Sequence, residues 1–247
     1  MKTDVYTIGE QSASLYIPDH HNKVCVSLSA GTDSTLVLYL ICSYIRENRK
    51  DVSVLLMHCV DIVRTPYSER DFNKVASRFI EQFPEIQFDK YVYTYVETKG
   101  FSKGMRTNKE IPKIIREHGI QSFFFGKTKN PPKEVCEQLG ELRPALLIRE
   151  GSVITPFDIC KMFDKDGKPT EVIDDCVEMR MSPLFTVDRS FVADFYRKVE
   201  FLKNIFPLTA SCVGGLVATK NWTTPCKKCW WCKEKFWAFH QYDGGSL

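Results

Sequence analysis

Val26-Ser27-Leu28-Ser29-Ala30-Gly31-Thr32-Asp33-Ser34-Thr35 is the stretch whose reading decides the fold. Upstream, Lys23 to Leu28 is a short apolar run of strand length. Downstream, Ser34 to Arg49 carries apolar residues at Leu36, Leu40, Tyr44 and Ile45, which suits an amphipathic helix. Between them lies a turn of small residues. Small side chains let backbone N–H groups approach an anion closely, and a helix N-terminus adds its dipole. Ser29, Ser34 and Thr35 offer hydroxyl donors, while Asp33 either holds the turn or positions Mg²⁺. The plainer alternative is a tight turn in which Asp33 or Ser34 merely caps the helix. It is not a Walker A loop, because no Gly-Lys-Ser/Thr follows at the required spacing, nor is it G-x-G-x-x-G.

Working outward, strand and helix patterns alternate. Asp51 to His58 is a second apolar run, Phe72 to Phe83 a helix ended by Pro84, and Tyr91 to Val96 an alternating third strand. Glu110 to Glu117 is helical, and Gln121 to Phe125 is an aromatic strand running into Gly126-Lys127. Residues 1 to 22 read as an irregular or short β lead-in, Asp164 to Lys168 as a hairpin turn or exposed loop, and Phe191 to Phe206 as a helix. The alternation predicts an α/β fold, a doubly wound parallel sheet of Rossmann-like type covered on both faces.

The chain has 247 residues, and its 34 basic against 31 acidic side chains are too evenly balanced to argue for nucleic acid or an acidic membrane. Its longest apolar stretches, such as Leu36 to Ile41, fall far short of the ~20 residues that span a bilayer, and the first residues show no signal-peptide pattern. A soluble, cytoplasmic protein with no membrane partner is expected.

Of ten cysteines, Cys25, Cys42, Cys59, Cys136, Cys160 and Cys176 are scattered and read as small buried hydrophobes of open role. The rest form Cys212-x13-Cys226-x2-Cys229-x2-Cys232. Such spacing lets the backbone fold around one metal with four thiolate ligands; zinc, an iron–sulfur cluster and free thiols are the alternatives.

Two motifs carry a resemblance. The turn resembles the Ser-Gly-Gly-x-Asp-Ser signature of the PP-loop ATP pyrophosphatases, with Ala30 replacing the first glycine. The tail, Ser211-Cys212 followed by Cys226-Lys227-Lys228-Cys229-Trp230-Trp231-Cys232 and a helix ending in Ala238-Phe239, is similar to that of the 7-cyano-7-deazaguanine synthases. Lys227 stands where that family commonly has glycine. Met181-Ser182-Pro183-Leu184 resembles the segment before the family's last helix, and Arg106-Thr107-Asn108 is a looser echo of its Arg-Asn element.

The resemblance implies an adenine-nucleotide α-hydrolase-like domain over residues 1–206 with a C-terminal zinc element over 207–247. It implies ATP, Mg²⁺ and structural zinc on Cys212, Cys226, Cys229 and Cys232. Ser29, Gly31, Asp33, Ser34 and Thr35, with Ala30 and Thr32 in the same turn, would hold the phosphates. Met57 and His58 would lie beside adenine or ribose, although a packed core imidazole is the plainer reading of His58. Asp33, Ser34, Lys127 and Arg106 are the candidates for chemistry, the last two weighed against solvated surface charges.

The implied reaction is an ATP-dependent ligation. A carboxylate, 7-carboxy-7-deazaguanine or an analogue, is adenylated and converted with ammonia to amide or nitrile. Two features separate this chain from the family's substrate pattern: Phe125 to Pro132, and Met57-His58-Cys59-Val60-Asp61 where Tyr-Gly-Gln is usual. The alternatives are a tRNA-modifying, thiolase-like enzyme of the same superfamily and a nucleotide-binding partner protein without turnover. A homodimer is compatible with each, and nucleic acid stays open as a partner.

Overall fold

The computed structural model describes residues 2–49, 51–63, 65–95, 113–140, 162–163, 169–170 and 179–243. A hairpin of β1 (Asp4–Ile8) and β2 (Gln11–Leu15) forms the lead-in, turned at Gly9 with φ 57. Then β3 (Lys23–Ser27), β4 (Ser53–Asp61), β5 (Phe88–Tyr95), β6 (Ser122–Phe125) and a short β9 (Met179–Met181) form one five-stranded sheet in the order β5-β4-β3-β6-β9. Every pairing in it is parallel. Between β6 and β9 in the chain lies an antiparallel pair, β7 (Met162–Phe163) with β8 (Pro169–Thr170); the 164–168 stretch expected as a turn or loop lies outside the described residues.

The order has a physical cause. A central parallel strand is covered on both faces and reads as a continuous apolar run. Accordingly β4 is buried from Val54 to Asp61. Helices α1 (Thr32–Asn48) and α2 (Ser68–Gln82) bury Leu36, Leu40, Phe72 and Phe79 on one face of the sheet. Ile114 and Ile115, in a helical stretch at 113–118, pack with Cys25, Leu55, Met57 and Phe123 on the other. The sheet is therefore doubly wound. The chain passes outward from β3 through β4 to β5, then returns to the opposite side of β3 at β6. At that reversal neighbouring loops part at the carboxyl ends of the strands, the position where such sheets bind ligands.

The structure differs from expectation at three places. Helix α3 (Lys133–Leu139) follows Pro131-Pro132 in a stretch to which the sequence pattern assigns no element. The single helix expected over Phe191–Phe206 is α4 (Arg189–Lys198) and α5 (Phe201–Asn204), broken where Glu200 turns left-handed at φ 59, with a 3₁₀ turn at Phe206–Leu208. Strand β9 ends at Met181, the first residue of the Met181–Leu184 motif, where no strand is expected.

Helix α6 (Trp230–Phe239) packs on α4, and its Ala238 and Phe239 join the same apolar cluster as Leu36. Phe239 stacks on Phe206 at 4.6 Å and meets Tyr196 edge-on at 5.5 Å, so the packing crosses residue 206. Cys25, Cys42, Cys59 and Cys136 are buried, as expected; Cys160 and Cys176 lie outside the described residues. Among the described residues, no helix is long and apolar enough to cross a membrane.

Candidate nucleotide and metal site

The turn after β3 is held by its own hydroxyls. Ser34 Oγ accepts from the Ser29 N–H at 3.1 Å, donates to the Gly31 carbonyl at 3.1 Å and lies 3.0 Å from Ser29 Oγ. Gly31 is the N-cap of α1, and no side chain caps that helix. Neither Asp33 nor Ser34 occupies the N-cap position, and the first-turn N–H groups of α1 have no side-chain cap. Ala30 sits at φ 59, a left-handed backbone that costs a non-glycine residue roughly 1–2 kcal/mol. It is 1% exposed, so its methyl is packed in place.

The end of β6 comes against this turn. A Cβ on Gly126 would stand 2.4 Å from Ser34 N and 2.6 Å from the Asp33 carbonyl carbon. Gly126→Ala therefore forces the fourth strand and the start of α1 apart. We expect a loss of about 1–3 kcal/mol in urea unfolding. A variant as stable as the parent would contradict the close approach.

Asp33 is ion-paired. Arg189 Nη2 donates to its Oδ2 at 2.6 Å, and Arg189 Nη1 lies 2.7 Å from Glu234 Oε2; the side chains of Arg189 and Glu234 are 5% and 1% exposed. Burial pulls the guanidinium's pKa down, but the two carboxylates outweigh it and hold the pKa above the usual arginine value. Asp33 also accepts from the Thr32 hydroxyl at 3.2 Å and the Thr128 hydroxyl at 3.5 Å. Arg189 was missed from the sequence. A signal existed: it occupies the first position of α4, after the Asp188 N-cap, where a cation meets the positive end of the dipole. An arginine placed there against local electrostatics marks a distant acidic partner.

The four late cysteines converge. Their sulfurs lie within 4.8 Å of one another, and Cys226 and Cys232 are 3.9 Å apart. Ligands at about 2.3 Å from one tetrahedral ion stand roughly 3.8 Å from each other, so the set fits a single metal. Backbone N–H groups of Gly214 and Cys226 donate to Cys212 Sγ at 3.3 and 3.2 Å, and that of Cys229 to Cys226 Sγ at 3.3 Å. Such bonds favour thiolates. Sulfur hydrogen bonds from Cys212 and Cys232 likewise hold Cys229 far below the usual thiol range. Lys227 adopts φ 60, a left-handed backbone that glycine takes at least cost. Gly214 is required too, since a Cβ there would lie 2.7 Å from Cys226 Cβ.

The metal-ligand segment and the phosphate turn are one assembly. Ala210 N–H donates to the Ala30 carbonyl at 2.9 Å. A cavity of about 400 Å³ opens between them, lined by Gly31, Asp33 and Ser34 on one side and Ser211, Cys212 and Trp231 on the other.

The remaining expected residues fall as follows. Ser29 and Thr32 line the cavity, while Thr35 is fully buried. His58 lines it too, but its Nδ1 lies 2.7 Å from the Leu28 carbonyl, its Nε2 3.1 Å from Ser68 Oγ, and its ring stacks on Phe72 at 4.9 Å. That is the packed imidazole. Met57 is buried with Cys25 and Leu55 in the cluster on the sheet's other face. Lys127 exchanges hydrogen bonds with Ser182 through its backbone and holds its ammonium 5.6 Å from the Phe185 ring. Arg106 lies outside the described residues. The structure thus brings together the turn and the four cysteines, and adds Arg189, Glu234 and Ser211.

Fold and site together define an α/β protein with a doubly wound parallel sheet and a four-cysteine ligand set for metal. No protein-family model matches the chain, and no curated protein does. Among solved structures it is similar to the U34-tRNA thiolase NcsA from Methanococcus maripaludis with its [4Fe-4S] cluster, at 17% identity and a TM-score of 0.48. The similarity covers 73% of this chain and 58% of the thiolase, less than two thirds of that protein's length.

Proposed function

We propose that the chain is an ATP-dependent enzyme that cleaves ATP between its α- and β-phosphates and transfers the adenylyl group to an oxygen of its substrate. One observation carries the reading: a small-residue turn and an uncapped helix start face a cavity at the reversal point of the parallel sheet. The N–H groups of Thr32, Asp33 and Ser34, with the Ser29 hydroxyl, would receive the pyrophosphate. Arg189 keeps Asp33 folded against the turn, so the turn needs no reorganisation as charge develops. Mg²⁺ carried by the nucleotide supplies neutralisation of that charge.

We assign zinc to the cysteines, because the sulfur spacing suits one ion, whereas a cluster seats its thiolates on separate irons. Four protein ligands leave no open position, so this ion is structural.

The primary substrate reading is a carboxylate attached to a planar deazapurine-like base, aminated by ammonia after adenylation. A second reading, a base oxygen of tRNA, is favoured by Lys220, Lys227 and Lys228, all exposed on the cysteine segment.

The metal-loaded chain should be incubated with ATP and Mg²⁺, either with 7-carboxy-7-deazaguanine and ammonia or with tRNA. AMP and pyrophosphate formed with one substrate and not the other identify its class. Asp33→Ala is expected to lower that rate by at least ~100-fold. ATP bound without AMP formation under either condition would replace this proposal with a non-catalytic nucleotide-binding protein.

A further inference from the structure

We propose that Ser211 is a phosphate-binding residue of this cavity and that Lys235, sealed behind it, positions its hydroxyl. The inference rests on the nucleotide reading above. Lys235, in α6, is 0% exposed. Its ammonium is ion-paired with the buried Asp243, lies 2.5 Å from Ser211 Oγ and stands 5.8 Å from the Phe206 ring.

An ammonium has three donors and no acceptor, so the Lys235–Ser211 bond runs from nitrogen to oxygen. One lone pair of Ser211 is thereby taken, and its own proton must point elsewhere. Ser211 lines the cavity, and a Cβ on Gly31 would lie 3.3 Å from its Oγ, so the hydroxyl stands at the phosphate turn. The Ala210 N–H bond to the Ala30 carbonyl, at 2.9 Å, fixes that placement.

A serine that only filled space would not need a lysine behind it, because sealing an ammonium in a core costs several kcal/mol even when paired. What the lysine adds is a polarised hydroxyl, a charge-assisted donor facing the turn. An anion seated on the first-turn N–H groups of α1 would accept from it. The ligand group is therefore a pyrophosphate or the β,γ-phosphates of ATP, gripped from two walls that come from opposite ends of the described chain. Lys235 itself does not reach the cavity and acts only through Ser211.

The test titrates ATP, inorganic pyrophosphate and AMP into the intact, metal-loaded protein by calorimetry. Ser211→Ala, a small change that keeps the fold, is expected to weaken ATP and pyrophosphate roughly 10- to 100-fold and leave AMP unchanged. Equal affinities for ATP and pyrophosphate in parent and variant would overturn the assignment, as would an equal loss for AMP. A parent protein that binds neither ATP nor pyrophosphate would overturn the nucleotide reading itself. For the positioning role, Lys235→Met is combined with Asp243→Leu so that no lone buried charge remains. That protein should lose part of the ATP affinity that Ser211→Ala loses, and adding Ser211→Ala should bring the loss only to that of Ser211→Ala alone. An unchanged ATP affinity would overturn the positioning role. Full additivity would show that Lys235 acts independently of Ser211.

Discussion

Arg189→Met is expected to destabilise the protein by about 3–5 kcal/mol and to remove nucleotide binding with it. The guanidinium is the shared counter-ion of Asp33, at 2.6 Å, and Glu234, at 2.7 Å. Without it, one carboxylate that is 1% exposed and another that is 13% exposed lose the cation they share. Removing one member of a buried pair costs far more than the pair contributes, because the survivors keep their desolvation penalty. For a chain of this size the loss corresponds to a fall in melting temperature on the order of 10 °C.

A companion variant separates the two effects. Adding Glu234→Gln to Arg189→Met removes one of the stranded charges and should recover much of the stability. Nucleotide binding should stay lost, because Asp33 still lacks the guanidinium that holds its Oδ2. Urea unfolding and ATP titration on both proteins give the comparison. An Arg189→Met protein with unchanged unfolding and unchanged ATP affinity would refute the role assigned to the triad.

Removing the metal is expected to abolish ATP binding, rather than merely to loosen the tail. Helix α6 begins at the ligand Cys229, carries the ligand Cys232, and two residues later carries Glu234, the partner of Arg189. One helix therefore places both the metal ligands and the support of the phosphate turn. A structural zinc contributes on the order of 10 kcal/mol to the order of its ligand segment. Chelation should take the register of α6 with it, and restored zinc should return both binding and helix order. Metal analysis should find zinc and no iron, and the protein should be colourless. Chelated, demonstrably metal-free protein that binds ATP as before would uncouple the two sites.

The parallel sheet was legible because its central strands announce themselves. Ser53–Asp61 is apolar along almost its whole length, and the turn at Ser29–Asp33 marks the passage from a strand period to a helical one. The four cysteines were legible because thiolate ligands must sit close in space, and short spacing is the cheapest route to that. The placement of Met57 was not legible. A side chain at a strand end can take either face, and the pleat turns Met57 to the cluster containing Cys25 and Leu55. Arg189 and Glu234 were hidden for a different reason. Their function lies in a pairing across 156 residues, between Asp33 and Arg189; the arginine's place at a helix N-terminus hints at an acidic partner, but no local pattern says which one. The two departures from family glycines, Ala30 and Lys227, were visible as substitutions, but only the φ values of 59 and 60 show that each bears a backbone strain imposed by its surroundings.

That long separation also sets an order in time. Asp33 and Arg189 are 156 residues apart, which at roughly 5–20 residues per second puts about 8–30 s between their emergence during translation. Through that interval the strands around the phosphate turn can pair, while Asp33 has no counter-ion and the wall carrying Ser211 does not yet exist. A nascent chain stopped before α4 would hold the turn without its clamp. Both walls of the cavity therefore meet only after synthesis has passed the cysteine segment, and a truncated chain would carry the turn without the cavity.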